Sequence, residues 1–481
     1  MAARERVVVV GGGVGGLASA LALGRAGHPV TVLERDPLPA HAGPEAAFAA
    51  ERHGAPQAHQ THGFLARIVA VLDERFPDVL ADLRAAGCTV LPPAMDLGEP
   101  QPGDEDLAVL ITRRTTFEWV LRRAALAEAG VEVRTGTGVA GLTAGGARDR
   151  PSGGPPQVDG VRLDDGTRLA ADLVVAATGR RGPLPAWLAD VGAAVDESVH
   201  ESGLVYLTRW YRLPAGDDLV LDPKLGGDLG YVKYLGVPGD GGTLSITLAV
   251  RSYDSELRSA LADPEGFEQA CRLLPGPDQF FTRGPLAPIG GVRPMAGLIN
   301  RRRRFVDAAG RHAVLGLHAV GDAHTCTNPL YGRGCTLALV QAVLLADAAA
   351  AHPGDPAGRS AAYEAACRRE VEPWFDLAVQ TDQAGADPTG FGGGDAPGSP
   401  QAKAMAGLFA AGATDPVIGR ALARLWNLLD TPADLASDPT VVARMAAVMA
   451  DPDAHPPPPR VGPTRAELLA VLDSPQEAAH A

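Results

Sequence analysis

A chain of 481 residues, 46% apolar and 21% charged, is long enough for about two to four domains and too rich in apolar side chains to be disordered. Its formal charge of −14 argues against a general role on nucleic acid or anionic membranes. The five cysteines form no CxxC or CxxH pair, which removes a disulfide framework, offers no zinc-ligand spacing and fits a reducing cytoplasm.

In chain order, Val7–Val10 is a short β-branched run of the kind that forms a buried parallel strand. A helix is expected from Leu17 to Ala26 and a second strand over Pro29–Glu34. The eighteen residues Val7–Gly24 carry no charge and pass for a membrane or signal segment by composition. The glycines at 11, 12, 13, 15, 16 and 24 oppose that reading, because they would weaken a spanning helix. Residues 37–58 read as loop, Ile68–Ala86 and Arg114–Ala129 as helices, and Val131–Arg134 as a strand. Asp165-Gly166 predicts a hairpin between Val158–Leu163 and Thr167–Leu169. Asp172–Ala177 has the buried-strand pattern again. From about 200 to 305 the runs Leu204–Leu213, Gly230–Val237 and Thr243–Val250 predict an antiparallel sheet. Ala313–Val320 is one more strand, followed by a glycine-rich turn and a long helix at Cys335–Ala351. The remainder reads as helical, with a Gly/Pro stretch at 385–400 and a break at Pro456–Pro459.

The spacing Gly11-x-Gly13-x-x-Gly16 falls between the first strand and helix, and Glu34 ends the next strand. Gly11 permits the tight turn, Gly13 lets a pyrophosphate approach the backbone, and Gly16 lets helix and strand pack closely. The helix N-terminus offers free N–H groups to the anion. Glu34, with Arg35 beside it, stands where an acid accepts hydrogen bonds from both ribose hydroxyls and repels a 2′-phosphate. A dinucleotide with unphosphorylated adenosine is implied, FAD or NAD.

Gly321-Asp322 follows the strand Ala313–Val320, and Asn328-Pro329 and Gly332-Arg333-Gly334 precede the long helix. The stretch VGDAHTCTNPLYGRGCTLALVQA resembles the second FAD fingerprint of the FAD-dependent monooxygenase superfamily, the p-hydroxybenzoate-hydroxylase-like fold. The resemblance covers most of residues 5–345. It implies that Asp322 binds the ribityl chain and that Pro329 and the Gly332–Gly334 turn face the isoalloxazine. The helix that follows would place its positive end near the reducible ring. By the same resemblance Arg114 approaches the FAD phosphates or ribityl chain, and Val139 makes backbone contact to adenine. Thr178-Gly179 stands where aromatic hydroxylases have Asp-Gly, a position tied to NAD(P)H handling. Reduction is therefore expected from NADH or NADPH either directly or through a separate flavin reductase. ATGRRG and ERHGAPQAHQTHGFL are similar to a subset that includes natural-product epoxidases and oxygenases.

The resemblance implies an α/β chain in three parts. A Rossmann-like FAD-binding domain with a parallel sheet spans 1–190 plus 305–350. An antiparallel-sheet substrate domain is inserted at 191–304, and a helical region spans 351–481. Its implied activity is hydroxylation or epoxidation of an apolar or aromatic small molecule in specialised metabolism, with O2 as co-substrate and a flavin C4a-hydroperoxide as oxygen donor. Such chemistry is carried by the cofactor and needs no protein nucleophile. No GxSxG or HExxH occurs. Arg52, Gln57, His59 and His62 lie on one loop, and Arg52 with one histidine is a candidate for the flavin or substrate pocket. His324, Thr325 and Cys326 are candidates to flank the ring, with Cys326 favoured as a packed residue rather than a redox thiol. Arg301–Arg304 reads as a solvated strand edge rather than a phosphate site. Tyr206, Trp210, Tyr211, Tyr231 and Tyr234 either wall the substrate pocket or form sheet core. A flavin-dependent reductase or dehydrogenase of the geranylgeranyl-reductase type shares the fold and is the alternative, and a non-catalytic flavoprotein, a sensor or scaffold, is a different class. A flavin halogenase would need an early lysine and a WxWxIP sequence, whereas the first lysine is Lys224 and no WxWxIP occurs.

Overall fold

The computed structural model describes residues 4–92, 97–145, 154–214, 225–282, 286–386, 400–456 and 459–473. Lys224, Pro457, Pro458 and most of the Gly/Pro stretch 385–400 lie outside them.

The fold is α/β. A five-stranded parallel sheet has the order Leu317–Ala319, Leu173–Ala176, Val7–Val10, Val30–Leu33, Val131–Arg134. Successive side chains on a strand point to opposite faces, and here both faces are covered, so the central strands Val7–Val10 and Leu173–Ala176 are apolar and buried throughout. Val7 and Val9 pack with helices Val14–Arg25, Ala66–Arg75, Arg114–Ala127 and Gly334–Ala351. Val8 and Val10 pack on the other side, with a three-stranded antiparallel sheet (Val139–Ala144, Val158–Leu163, Arg168–Ala170) and helix Leu184–Asp190. The uncharged segment Val7–Gly24 is thus a core strand and most of a core helix. Gly334–Ala351 is long and apolar enough to cross a membrane. In this fold it packs in the core beside Val14–Arg25.

Two sequence expectations need correction. The segment 68–86 is not one helix: Pro77 lacks the N–H an uninterrupted helix needs, and the chain breaks at Phe76 into Ala66–Arg75 and Pro77–Ala85. Residues 37–58 are not all loop, since Pro44–Ala49 forms a short helix that buries Ala47 and Phe48.

The second large sheet is antiparallel, in the order Gly226–Asp228, Val232–Gly239, Thr243–Arg251, Leu204–Arg212, Ala287–Met295. Leu207, Tyr211, Ile246, Leu248 and Val250 face helices Ser255–Ala262 and Pro264–Leu273. The last described helix, Arg465–Leu472, packs into that same layer through Leu468 and Leu469. A smaller sheet (Asp196–Glu201, Ile299–Arg304, Thr325–Cys326) joins the two halves. Its middle strand carries the four arginines, so Arg301–Arg304 is not a solvated edge. Arg301 Nη2 donates to the carbonyls of Arg180 and Asp322, and Arg303 Nη1 to Ala323. Arg302 and Arg304 pair with Glu372 on helix Glu372–Ala386.

Candidate functional site

One cavity of about 2390 Å3 runs from the glycine turn to the antiparallel sheet. Pockets for one small ligand measure about 300–1000 Å3, so this space admits a dinucleotide and a second molecule together.

At one end lies the turn after Val7–Val10. Gly11 has φ +112, and a Cβ there would lie 2.3 Å from the Ala177 carbonyl oxygen. A Cβ on Gly16 would lie 1.8 Å from the Gly11 oxygen. Gly13 differs: it has an ordinary backbone (φ −83) and nothing within 4 Å of a Cβ. It is therefore open toward the cavity, where a ligand would lie. Helix Val14–Arg25 has no side-chain cap, which leaves its first N–H groups for an anion. Glu34 is buried and accepts from Gly12 N (2.7 Å) and Asp36 N (2.8 Å). Each carboxylate oxygen keeps acceptor capacity for a hydroxyl. Arg35 lines the same end of the cavity, with Val139 beyond it.

Arg52 also lines the cavity, at this end. It is buried among three carboxylates, Glu34 (3.5 Å), Asp36 (3.3 Å) and Glu118. Its place is behind Glu34. Burial pulls its pKa down while Glu34 and Asp36 hold it charged.

The middle of the cavity is bounded by Arg114, His62, Thr178 and Asp322. An arginine can only donate, so the contact of Arg114 Nη1 with His62 Nε2 (3.3 Å) makes that nitrogen an acceptor. The imidazole is then neutral with its proton on Nδ1, donated to the Gln60 carbonyl at 2.9 Å. Burial and the Arg114 charge push His62 from the usual 6.5 to about 3. Arg114 Nε, Thr178 Oγ1, Thr327 Oγ1 and Arg333 Nε are buried polar atoms without a hydrogen-bond partner, and their residues all line the cavity. Such orphans are what a polar ligand would satisfy. Burial raises the Asp322 carboxyl, against the fields of Arg114, Arg180 and Arg301.

Pro329–Tyr331 is a single turn of tight helix that ends at Gly332, φ +67, and Gly334–Ala351 begins directly after it. A Cβ on Gly332 would lie 3.0 Å from Gly63 Cα, so the His62 loop and this turn touch backbone to backbone. Beyond it, Tyr206, Tyr231, Leu235, Met295, Phe409 and Trp426 line a mainly apolar chamber.

Several expected residues stand elsewhere. His59 does not line the cavity: its Nε2 contacts the Phe48 carbonyl at 2.7 Å and its ring packs on Phe48. Trp210 belongs to the same packed group, donating to the His59 carbonyl at 2.7 Å. Tyr211 points into the helical layer. His324 and Thr325 bond each other behind the turn, with His324 facing Glu364, while Cys326 lines the cavity as a buried thiol whose pKa burial drives well up. Sequence reasoning missed the contribution of the C-terminal region. Phe409, Trp426, Pro463 and Thr464 line the chamber from segments with no recognisable spacing.

His318 gives a pH prediction. It sits in the parallel sheet, and burial lowers it from 6.5 to about 3. The unfolded chain therefore binds protons between those values that the folded chain refuses. Stability present above about pH 6.5 is lost as pH falls toward 3. His318→Leu should flatten this acid limb in thermal midpoints measured from pH 7 to 4; an unaltered limb would refute the assignment.

Residues 6–100 match the family model described as FAD dependent oxidoreductase. Protein Rv3254 of Mycobacterium tuberculosis (strain ATCC 25618 / H37Rv) is 30% identical over 371 residues, 70% of this chain and 72% of that protein. The chain belongs to the same family as Protein Rv3254, and its residues 6–100 carry the FAD dependent oxidoreductase match. Three solved structures show the fold. They are p-nitrophenol 4-monooxygenase PnpA from Pseudomonas putida DLL-E4 (22% identity, TM-score 0.60, 90% of this chain and 100% of that one), OxyS anhydrotetracycline hydroxylase from Streptomyces rimosus (21%, 0.57, 89% and 77%), and PqsL, a probable FAD-dependent monooxygenase from Pseudomonas aeruginosa (18%, 0.57, 79% and 95%). The protein is thus an FAD-dependent enzyme with the fold of the monooxygenase superfamily.

Proposed function

We propose that the enzyme is a monooxygenase that hydroxylates or epoxidises an apolar or aromatic small molecule in specialised metabolism, with O2 as co-substrate. The observation that carries this reading is the continuity of the cavity: a dinucleotide-binding end opens into an apolar chamber large enough for a second molecule. PnpA, a p-nitrophenol 4-monooxygenase, and OxyS, an anhydrotetracycline hydroxylase, carry out reactions of this kind.

Bound FAD would supply the oxygen-activating chemistry. The chain's own work is to bind, orient and exclude water. Gly11–Gly16 would hold the pyrophosphate, Glu34 and Arg35 the adenosine, Val139 the adenine through its backbone, and Arg114 and Asp322 the middle of the cofactor. Pro329, Gly332 and Gly334 would hold the ring end. Tyr206 and Tyr231 would orient substrate against it. Neutral His62 would accept the Arg114 hydrogen bond throughout the working pH range. NADH or NADPH is the ultimate electron donor, directly or through a flavin reductase.

The test is turnover under 18O2 with a panel of apolar aromatic compounds. One 18O atom in the product is expected; product formed under argon would replace this reading with a reductase or dehydrogenase. An anaerobic titration with NADH and NADPH then identifies the route of reduction. Bleaching of the flavin band means direct reduction, and bleaching by dithionite alone means a partner reductase.

A further inference from the structure

We infer that Asp382, from the C-terminal region, is a positioning residue that fixes the cofactor-facing turn and ties it to the substrate sheet. It rests on the reading of Pro329–Gly334 as the turn that faces the flavin. Asp382 lies in helix Glu372–Ala386 and is buried. Its Oδ1 accepts from Asn328 Nδ2 at 2.9 Å, and its Oδ2 from Asn300 Nδ2 at 2.7 Å.

The orientation of both amides is dictated by backbone N–H groups, which can only donate. Leu330 N donates to Asn328 Oδ1 (3.2 Å), and Asn328 N donates to Asn300 Oδ1 (2.7 Å). Each asparagine therefore turns its NH2 toward Asp382. Burial raises the Asp382 carboxyl, while the two amide donors favour its ionised form, which alone offers acceptors and no O–H toward them. Asn328 Oδ1 also accepts from the Tyr206 hydroxyl at 2.6 Å, so Tyr206 is locked as a donor there. The groups whose charge bears on Asp382 are Lys233 and Arg251 on the antiparallel sheet and Tyr206, Tyr331 and Arg333 around the turn.

Four side chains thus join four separate pieces of the chain. Asn300 comes from the linking sheet, Asn328 caps the Pro329–Tyr331 turn, Tyr206 comes from the antiparallel sheet, and Asp382 from the tail. Without the carboxylate, Asn328 loses the contact that holds its side chain under the turn. The turn and Tyr206 are then held in register through Asn328 Oδ1 alone, on a side chain whose NH2 has lost its anchor.

The test compares D382N, N328D/D382N and the parent by FAD titration, flavin visible spectrum and thermal midpoint without FAD. In D382N an NH2 meets an NH2, and FAD affinity is expected to fall about tenfold with a changed visible band. In the exchanged pair, the amide at 382 accepts from Asn300 and donates to the carboxylate at 328, which still accepts from Tyr206 and Leu330. Every hydrogen bond is restored, and affinity is expected to return to within about threefold of the parent. A folded D382N with parent affinity and spectrum would overturn the inference, whatever its thermal midpoint. If D382N does not fold, the exchanged pair decides: parent-like FAD binding supports the role, and weak binding or failure to fold refutes it. A parent that binds no FAD would instead defeat the reading of the cofactor site itself.

Discussion

Gly13→Val is expected to weaken FAD binding about a hundredfold or more and to leave the thermal midpoint of the FAD-free protein within about 2 °C of the parent. The two effects separate because of what surrounds that position. Gly13 has φ −83 and ψ −172, which any residue adopts, and an added Cβ meets no protein atom within 4 Å. Only a ligand laid against the turn would meet the new side chain. Gly16→Ala is expected to behave in the opposite way. Its methyl group would lie 1.8 Å from the Gly11 oxygen, so helix and strand must move apart. The fold should lose about 3 kcal/mol or more, and binding should fail with it. Calorimetric melting beside FAD titration checks both variants. Equal FAD affinity in Gly13→Val and the parent would place the cofactor elsewhere.

Asp240→Ala is expected to destabilise the protein by about 3–5 kcal/mol, because it strips the buried Arg113 of its buried anion and leaves only the exposed Glu45 carboxylate at 2.7 Å. Asp240 sits in the turn between Val232–Gly239 and Thr243–Arg251, and Arg113 immediately precedes helix Arg114–Ala127. Arg113 donates three times to Asp240: from N at 2.7 Å, from Nε at 3.1 Å and from Nη2 at 2.6 Å. Thr116 Oγ1 adds a fourth bond at 2.7 Å. Both ion-pair side chains are 1% exposed. The guanidinium lies 4.6 Å from the Phe48 ring centroid. This cluster docks the antiparallel sheet onto the half that holds the parallel sheet, next to the arginine that bounds the middle of the cavity. By contrast, the Arg293–Glu51 pair is solvent-exposed, and Glu51→Ala should cost less than about 1 kcal/mol. Urea unfolding of the two variants checks the contrast; a loss at Asp240 no larger than at Glu51 would show that the cluster does not hold the halves together.

What the sequence revealed depended on how local each signal was. The glycine turn and Glu34 lie within about thirty residues, and their spacing follows from one strand–turn–helix–strand unit. Gly321 to Gly334 is equally compact. The antiparallel sheet was legible from its β-branched and aromatic runs, but the destination of each aromatic was not. Tyr206 reaches the cavity, whereas Tyr211 faces the helical layer and Trp210 rests on Phe48 and His59. Strand alternation separates Tyr206 from Tyr211, but only the packed loop removes Trp210. The Asp382 cluster was illegible because its bonds cross 54 and 82 positions of sequence and carry no period. The arginine run misled for a related reason: four like charges in a row suggest solvent, and the partners that bury them come from Glu197, Glu372 and main-chain carbonyls far along the chain.

Helix Arg465–Leu472 has a consequence for how the chain is made. Leu468 and Leu469 complete the apolar layer under the substrate sheet, Tyr231 donates to the Pro463 carbonyl at 2.8 Å, and Arg465 pairs with Asp254 and Glu256. Those partners are translated more than 200 residues earlier. During synthesis one apolar face of the antiparallel sheet therefore stays incomplete until Arg465–Leu472 has left the ribosome. A nascent chain halted before residue 465 would expose that face to other chains.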